Sequence, residues 1–256
     1  MAREQPEQQA PPVQRLRVRY AKRGRLRFTS HRDFSRAFER AVFRARVPMA
    51  YSSGFNPHPR ISYAGASPTG AASEAEYLEL ALSEVVDPAH VSALLEEALP
   101  DGLDVLEVVA VVPGSGRSLA DLLTASRWTV DLPGAPETVG DAVRRFLAEE
   151  SVLIERMTKK GLREFDCRAA VAGMEVSGGP DAAAAPGPAL AAGARARLVM
   201  LLRHTVPAVR PDDVLTGLRS VTDLETGPAP VLTRLEQGTL DDAGLIVLDP
   251  LAPTSP

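Results

Sequence analysis

An α+β fold of two tandem ferredoxin-like (split βαβ) units, the second irregular and carrying a flexible Ala/Gly/Pro insert, is what the 256-residue sequence predicts. Three observations carry this. Short runs alternate apolar and polar residues, which is the signature of half-buried strands. Between them lie segments with apolar residues three and four apart, as on one helix face. In about 100 residues the order is strand, helix, strand, strand, helix, strand, which is the split βαβ grammar.

Residues 1–14, MAREQPEQQAPPVQ, are polar and rich in Pro and Gln, and are expected to be a disordered lead. Leu16, Val18 and Tyr20 alternate with Arg15, Arg17 and Arg19, giving a first strand. The KRG at 22–24 allows a bend or bulge, after which Leu26 and Phe28 are expected to continue the apolar face. Ser30 precedes Asp33 by three residues, a capping-box-like helix start worth roughly 1 kcal/mol. Phe34, Ala37, Phe38, Ala41, Val42 and Ala45 then share one face, and the helix ends before Pro48. RISYA (60–64) and EAEYLELAL (74–82) read as two strands. Asp87-Pro88 opens a second helix with Val91, Leu94, Leu95, Ala98 and Leu99 on one face, and Gly102 stops it. LDVLEVVAVV (103–112) completes a basic domain over 15–112, and PGSGRS (113–118) reads as a linker.

The second domain, 119–249, repeats this order less cleanly. RWTVDL is a strand and Glu137–Glu150 a helix, and VLIERM and REFDCRAAV are strands around a TKKG turn. Residues 177–194 are the Ala/Gly/Pro-rich insert, with little to bury. RARLVMLLR is a strand, RPDDVLTGL a short helix, and LIVLDP an edge strand before a frayed tail, 250–256. A single continuous α+β domain is the competing arrangement.

Composition excludes several classes. Hydrophobic residues make up 45% and charged residues 24%, as in ordinary globular proteins. No long apolar run spans a membrane, and the start lacks a secretory apolar segment, so a cytoplasmic location is expected. The lone Cys167 allows no internal disulfide, and alternation with Asp166 and Arg168 suggests a packed strand residue. No Cys/His group has metal-ligand spacing, and no cofactor motif is present, so neither a metal nor a cofactor is expected.

Charge is distributed unevenly. The net charge is −4, yet residues 15–63 hold 13 Lys/Arg against 2 Asp/Glu. Arg32, Arg36, Arg40 and Arg44 form an i, i+4 ladder opposite the Phe34/Phe38 face, with Phe43 in their midst. A ring flanked by guanidiniums suits stacking on a phosphate-rich partner. Docking of the second domain over this face is the bland alternative. Ser30 and His31 sit where free helix N–H groups attract an anion. The segment Ser52, Gly54, Phe55, Asn56, Pro57, His58, Arg60 is stiffened by prolines at 57 and 59, and could equally lock a turn. Lys22, Arg27, Lys159 and Arg168 complete the candidate binding set. His90 and His204 read as ordinary helix-start and strand-end residues.

Several of these stretches together resemble a known family. Lys22 and Gly24, then Ser30, His31 and Asp33, then Ser52 through Ser62, and Ser73, Glu76 and Tyr77 match the radical-SAM-linked (radical-SAM-associated) domain family of unknown function. Thr158, Lys159, Gly161, Asp166 and Arg168 extend the resemblance into the second half, to about residue 235. Ala169 stands where that family usually has proline. The resemblance implies a stand-alone partner of a separate radical SAM enzyme. The chain lacks Cys-x-x-x-Cys-x-x-Cys and cannot itself hold that enzyme's cluster.

Three functions are therefore expected candidates. The first is an accessory module binding structured RNA, such as transfer or ribosomal RNA, through the basic and aromatic face. The second is a protein adaptor for a radical SAM enzyme. The third is a metal-independent RNA-processing enzyme with His31 and His58 as acid and base, which requires the two imidazoles to converge.

Overall fold

The computed structural model describes residues 8–112, 114, 117–158, 161–178, 196–227 and 230–252. Lys159, residues 179–194 of the insert, residues 113, 115 and 116 of the linker and both chain ends lie outside them. The chain is mixed α+β and divides into two compact units, 1–122 with 251–256, and 123–250.

The first unit contains β1 (Gln14–Lys22), α1 (His31–Arg44), β2 (Ile61–Ala64), β3 (Ala72–Leu82), α2 (Pro88–Ala98), β4 (Val105–Ala110) and the single turn α3 (Leu119–Leu122). Its strands pair antiparallel in the order β4-β1-β3-β2. That is the order of a ferredoxin-like βαββαβ unit. Leu16 and Val18 of β1 and Leu78, Leu80 and Leu82 of β3 line up on one sheet face. Phe34, Phe38, Ala41 and Val42 of α1 and Val91, Leu95 and Ala98 of α2 close over it. The rings of Tyr20 and Phe34 stack at 4.8 Å. Burial of such side chains, at roughly 1.5–3 kcal/mol each before chain entropy, fixes which face of α1 points inward. Its arginine face must then point out.

The strand does not continue through Leu26 and Phe28. Residues Gly24–Phe28 form a 3-10 turn, with Gly24 at φ 54°. The N–H of Leu26 donates to the carbonyl of Arg23 and that of Thr29 to Leu26, so the local bonds replace ladder bonds. Phe28 is left exposed.

The second unit contains β5 (Ala125–Leu132), α4 (Pro136–Ala148), β6 (Leu153–Thr158), β7 (Gly161–Asp166), β8 (Val171–Gly178), β9 (Ala196–Arg203), α5 (Pro211–Val221), β10 (Val231–Leu240) and β11 (Val247–Leu248). Its sheet runs β10-β5-β9-β8, all antiparallel, with β11 on β10. With β6 and β7 set aside as an inserted hairpin, this is the same four-strand order as in the first unit. REFDCRAAV is not one strand. Asp166 Oδ1 accepts from the N–H groups of Val152, Arg168 and Ala169, which ends β7 and turns the chain into β8. Cys167 is buried in that turn. The first two residues of the expected insert, Ser177 and Gly178, belong to β8.

Candidate nucleic-acid interface

α1 starts where Ser30 Oγ accepts from the N–H of Asp33 at 3.2 Å and donates to Asp33 Oδ2 at 2.7 Å. The cap and the buried face together set the rotation of the helix. Arg32, Arg36, Arg40 and Arg44 are all exposed. Among the described residues none of the four makes an ion pair or a side-chain hydrogen bond. Four residues of helix rise about 6 Å, so the ladder is roughly 18 Å long. Phe43 lies among these arginines and is 79% exposed. Water contact over so much of a ring costs free energy, and nothing in the unit's own core relieves it.

The other cations of the basic segment behave differently. β1 is a central strand, and its neighbours β3 and β4 bring carboxylates beside it. Arg15 pairs with Glu79 at 2.6 Å, and Arg23 pairs with Glu74 and Asp104. Hydrogen bonding to Glu74 holds the Arg23 guanidinium firmly charged, above its ordinary value. Lys22 is only 5% exposed, so it lies inside the unit and not on the open face. Arg27 is half-buried, with its guanidinium 4.6 Å from the centre of the exposed Phe28 ring. On the exposed surface beside the helix, the positive charge left available is that of α1, together with Arg25 and Arg46.

The 52–60 segment is a hairpin tip. Ser52 N–H donates to the His58 carbonyl at 2.9 Å, and Ser52 Oγ accepts from His58 N–H at 3.0 Å. Arg60 N–H donates to the Ala50 carbonyl at 2.9 Å, with Tyr51 bridged to Pro59. The tip turns through Gly54 at φ 117°, a left-handed conformation that favours glycine. Asn56, Pro57 and His58 are exposed, and Phe55 is 60% exposed. Arg60 is half-buried at the sheet edge. The turn-locking alternative is therefore half true. Ser52 and the backbone lock the turn, and the lock holds the ring and imidazole outward.

His31 and His58 occupy different places. The His31 ring packs edge-on against Tyr63 at 5.2 Å, with Ser35 Oγ 3.4 Å from Nδ1. His58 lies at the hairpin tip, five residues before Tyr63, and the Ile61 N–H donates to the Pro59 carbonyl at 3.0 Å, so the chain turns at Arg60 before β2. Among the described residues no hydrogen bond or ring contact joins the two imidazoles, so shared acid–base work on one bond has no support in their contacts. Burial also pushes the Tyr63 hydroxyl up to about 12, so it keeps its proton near neutrality.

Arg168, in the second unit, is occupied. Its Nη1 donates to the Val171 carbonyl and its Nη2 to that of Leu147, so it clamps the turn between β7 and β8 against α4. The residues that sequence reasoning missed on the exposed surface are Arg25, Phe28 and Arg46. The signal for Phe28 is Gly24, whose positive φ favours a turn that ends the strand before the ring.

Among solved structures, the first two RRM domains of yeast poly(U) binding protein (Pub1) are similar to this chain at 11% identity, over 86% of this chain and 98% of that one. The TM-score is 0.20, too low to carry any argument about fold or function. None of the curated proteins matches the chain. A family model described as "Uncharacterized protein conserved in bacteria (DUF2344)" does match, over residues 15–211, and the chain belongs to that family.

Proposed function

We propose that this protein is an RNA-binding accessory module, engaging structured RNA such as transfer or ribosomal RNA through the outer face of α1 and the 52–58 tip. The observation that carries the reading is the unpaired ladder of Arg32, Arg36, Arg40 and Arg44 around the exposed Phe43. Guanidiniums at such spacing neutralise successive phosphates, and Phe43 offers a face on which an unpaired base stacks. His58 and Asn56 add hydrogen-bonding groups at the rigid tip, where little ordering entropy remains to be lost. Alongside this, the resemblance to the radical-SAM-linked family supports a role as the separate partner of a radical SAM enzyme, delivering or holding its RNA.

The test is fluorescence anisotropy of purified chain with bulk transfer RNA and a ribosomal RNA fragment across a salt series. Neutralisation of four phosphates predicts a slope of log affinity on log salt of about −2.8 to −3.6. Phe43→Ala should weaken binding by the worth of one stacked base, about 1–3 kcal/mol, and leave thermal stability unchanged. A flat salt response, or no binding at low salt, removes the reading.

A second reading has its own observation. A groove of about 460 Å³ between α1 and α2 is floored by Ala37, Ala41 and Ala98 and flanked by Arg40 and Arg44. Small residues permit close approach of another backbone, which suits an adaptor that docks an acidic protein segment. Co-purification from cells with and without nuclease separates the two, since only the RNA reading predicts loss of the bound material on digestion.

A further inference from the structure

The face of the first unit's sheet away from α1 and α2 holds a second group of guanidiniums. Leu16, Val18, Leu78 and Leu80 point to the helices, so the pleat turns Arg15 and Arg17 of β1 and Glu79 of β3 the other way. The segment leading into α3 lies over this row, with Arg17 Nη2 donating to the Arg117 carbonyl at 2.8 Å. A cavity of about 380 Å³ remains there, lined in part by Arg15, Arg17, Glu79, Arg117, Ser62 and Ser118. Its volume lies in the range of small-molecule sites, about 300–1,000 Å³.

The charges in this cavity do not balance. Three guanidiniums share one carboxylate, leaving an excess of two positive charges. Glu79 Oε1 is taken by Arg15 at 2.6 Å, and Arg17 Nε stands 3.6 Å from Oε2, too far for a hydrogen bond. Arg17 Nε is a buried donor without an acceptor, on a side chain only 11% exposed. The Arg117 guanidinium is in no ion pair among the described residues. It acts on Asp121 at longer range, and that carboxylate is itself held by Ser118 N–H and Oγ. A buried, charged donor facing a cavity calls for an anionic acceptor.

We propose that this cavity binds a small phosphomonoester, the size of a nucleoside monophosphate or sugar phosphate. A phosphomonoester carries a charge of about −1.5 to −2 at pH 7, which matches the excess, whereas a single carboxylate leaves half of it uncompensated. Guanidinium forks also meet phosphate oxygens in pairs. The site lies on the opposite face from the α1 ladder and stands independently of the RNA reading.

The test is calorimetric titration of the full chain at low salt with AMP, ribose 5-phosphate, and a short oligoribonucleotide bearing either a 5′-phosphate or a 5′-hydroxyl. Saturable one-site binding of a phosphomonoester is expected, with none by adenosine or the 5′-hydroxyl oligonucleotide at this site. Which phosphate-bearing probe binds tells a free metabolite from an RNA terminus. Arg117→Gln, at an exposed side chain, should weaken binding roughly tenfold, the worth of one charged hydrogen bond. Glu79→Gln, which removes the competing carboxylate, should tighten it. An Arg36→Gln/Arg40→Gln variant should lose RNA affinity and keep this site. The proposal is overturned by absence of saturable binding by all the phosphomonoesters, or by binding that Arg117→Gln leaves unchanged. It is equally overturned if inorganic sulfate binds as well as AMP does, which means an adventitious ion only.

Discussion

His204 shows how a single side chain couples to the stability of its unit. Its Nδ1 lies 2.7 Å from the Leu123 carbonyl and its Nε2 3.0 Å from Ser126 Oγ, which also accepts from Trp128 Nε1 at 2.8 Å. The consistent arrangement is a neutral ring, donating from Nδ1 to the carbonyl and accepting at Nε2 from the serine hydroxyl. Burial lowers the imidazole below its ordinary value, the Leu123 carbonyl opposes this, and the Arg234 charge adds to the lowering. The unfolded chain therefore takes up this proton at a higher pH than the folded chain does. Stability from the neutral ring is present above about pH 6.5 and is lost as pH falls from there through the folded value. The midpoint of thermal unfolding, followed by Trp128 fluorescence, should fall as pH drops from 7.5 toward 5.5. His204→Gln, whose amide can supply one donor and one acceptor, should flatten that dependence. An unchanged pH profile in the variant shows that other groups set it. Sequence reading assigned this residue an ordinary strand-end role, because its partners lie some 80 positions away in the chain.

At the scale of one element, α1 combines two functions whose energies oppose each other. Its inner face is core, while its outer face sets arginines four apart, which repel by about 0.2–0.5 kcal/mol per pair. Helix stability alone does not favour such a face, and among the described residues no carboxylate has been brought to it. Replacing Arg36 and Arg40 by glutamine should consequently leave thermal stability equal or slightly raised. The same change should reduce RNA affinity and make the salt slope shallower by about 1.4–1.8. Stability and binding moving in opposite directions is the expected outcome. A variant that loses stability would show instead that the ladder is structural. This helix was legible in the sequence, down to its Ser30 cap, because period, cap and stop are all local. Other elements were not. β8 carries Gly173, a residue that offers no alternation, and becomes a strand through pairing with β9. The end of β7 depends on one carboxylate, that of Asp166, gathering three N–H groups, an arrangement that periodicity does not reveal.

At the scale of the molecule, net charge and surface behaviour part company. The chain is acidic, with a calculated isoelectric point near 5.7, yet its basic residues are concentrated before residue 64. Carboxylates brought beside β1 pair with Arg15 and Arg23, and the arginines of α1 are left outward. Association with a polyanion is governed by that local field and not by the total charge. The whole protein should therefore bind a heparin column at low salt despite its net negative charge, and elute as salt rises. A triple Arg36→Gln/Arg40→Gln/Arg44→Gln variant should pass through at the same low salt. Retention of that variant would place the anion-binding field elsewhere on the molecule.

What the sequence determined by itself is whatever local chemistry specifies. That covers the βαββαβ order of the first unit, the amphipathic turn of α1, the proline-stiffened tip at 52–60 and the concentration of charge near the start; the closing strand of the second unit, β10, shows itself only through its pairing with β5. Tertiary structure alone decided which charges remain available. Arg15 and Arg44 carry the same guanidinium in the same basic segment. One lies on a strand whose neighbour supplies Glu79, and the other on a helix face that the described residues leave open. Coulomb interactions depend on distance in space, and a linear sequence does not contain that distance until the strands have paired.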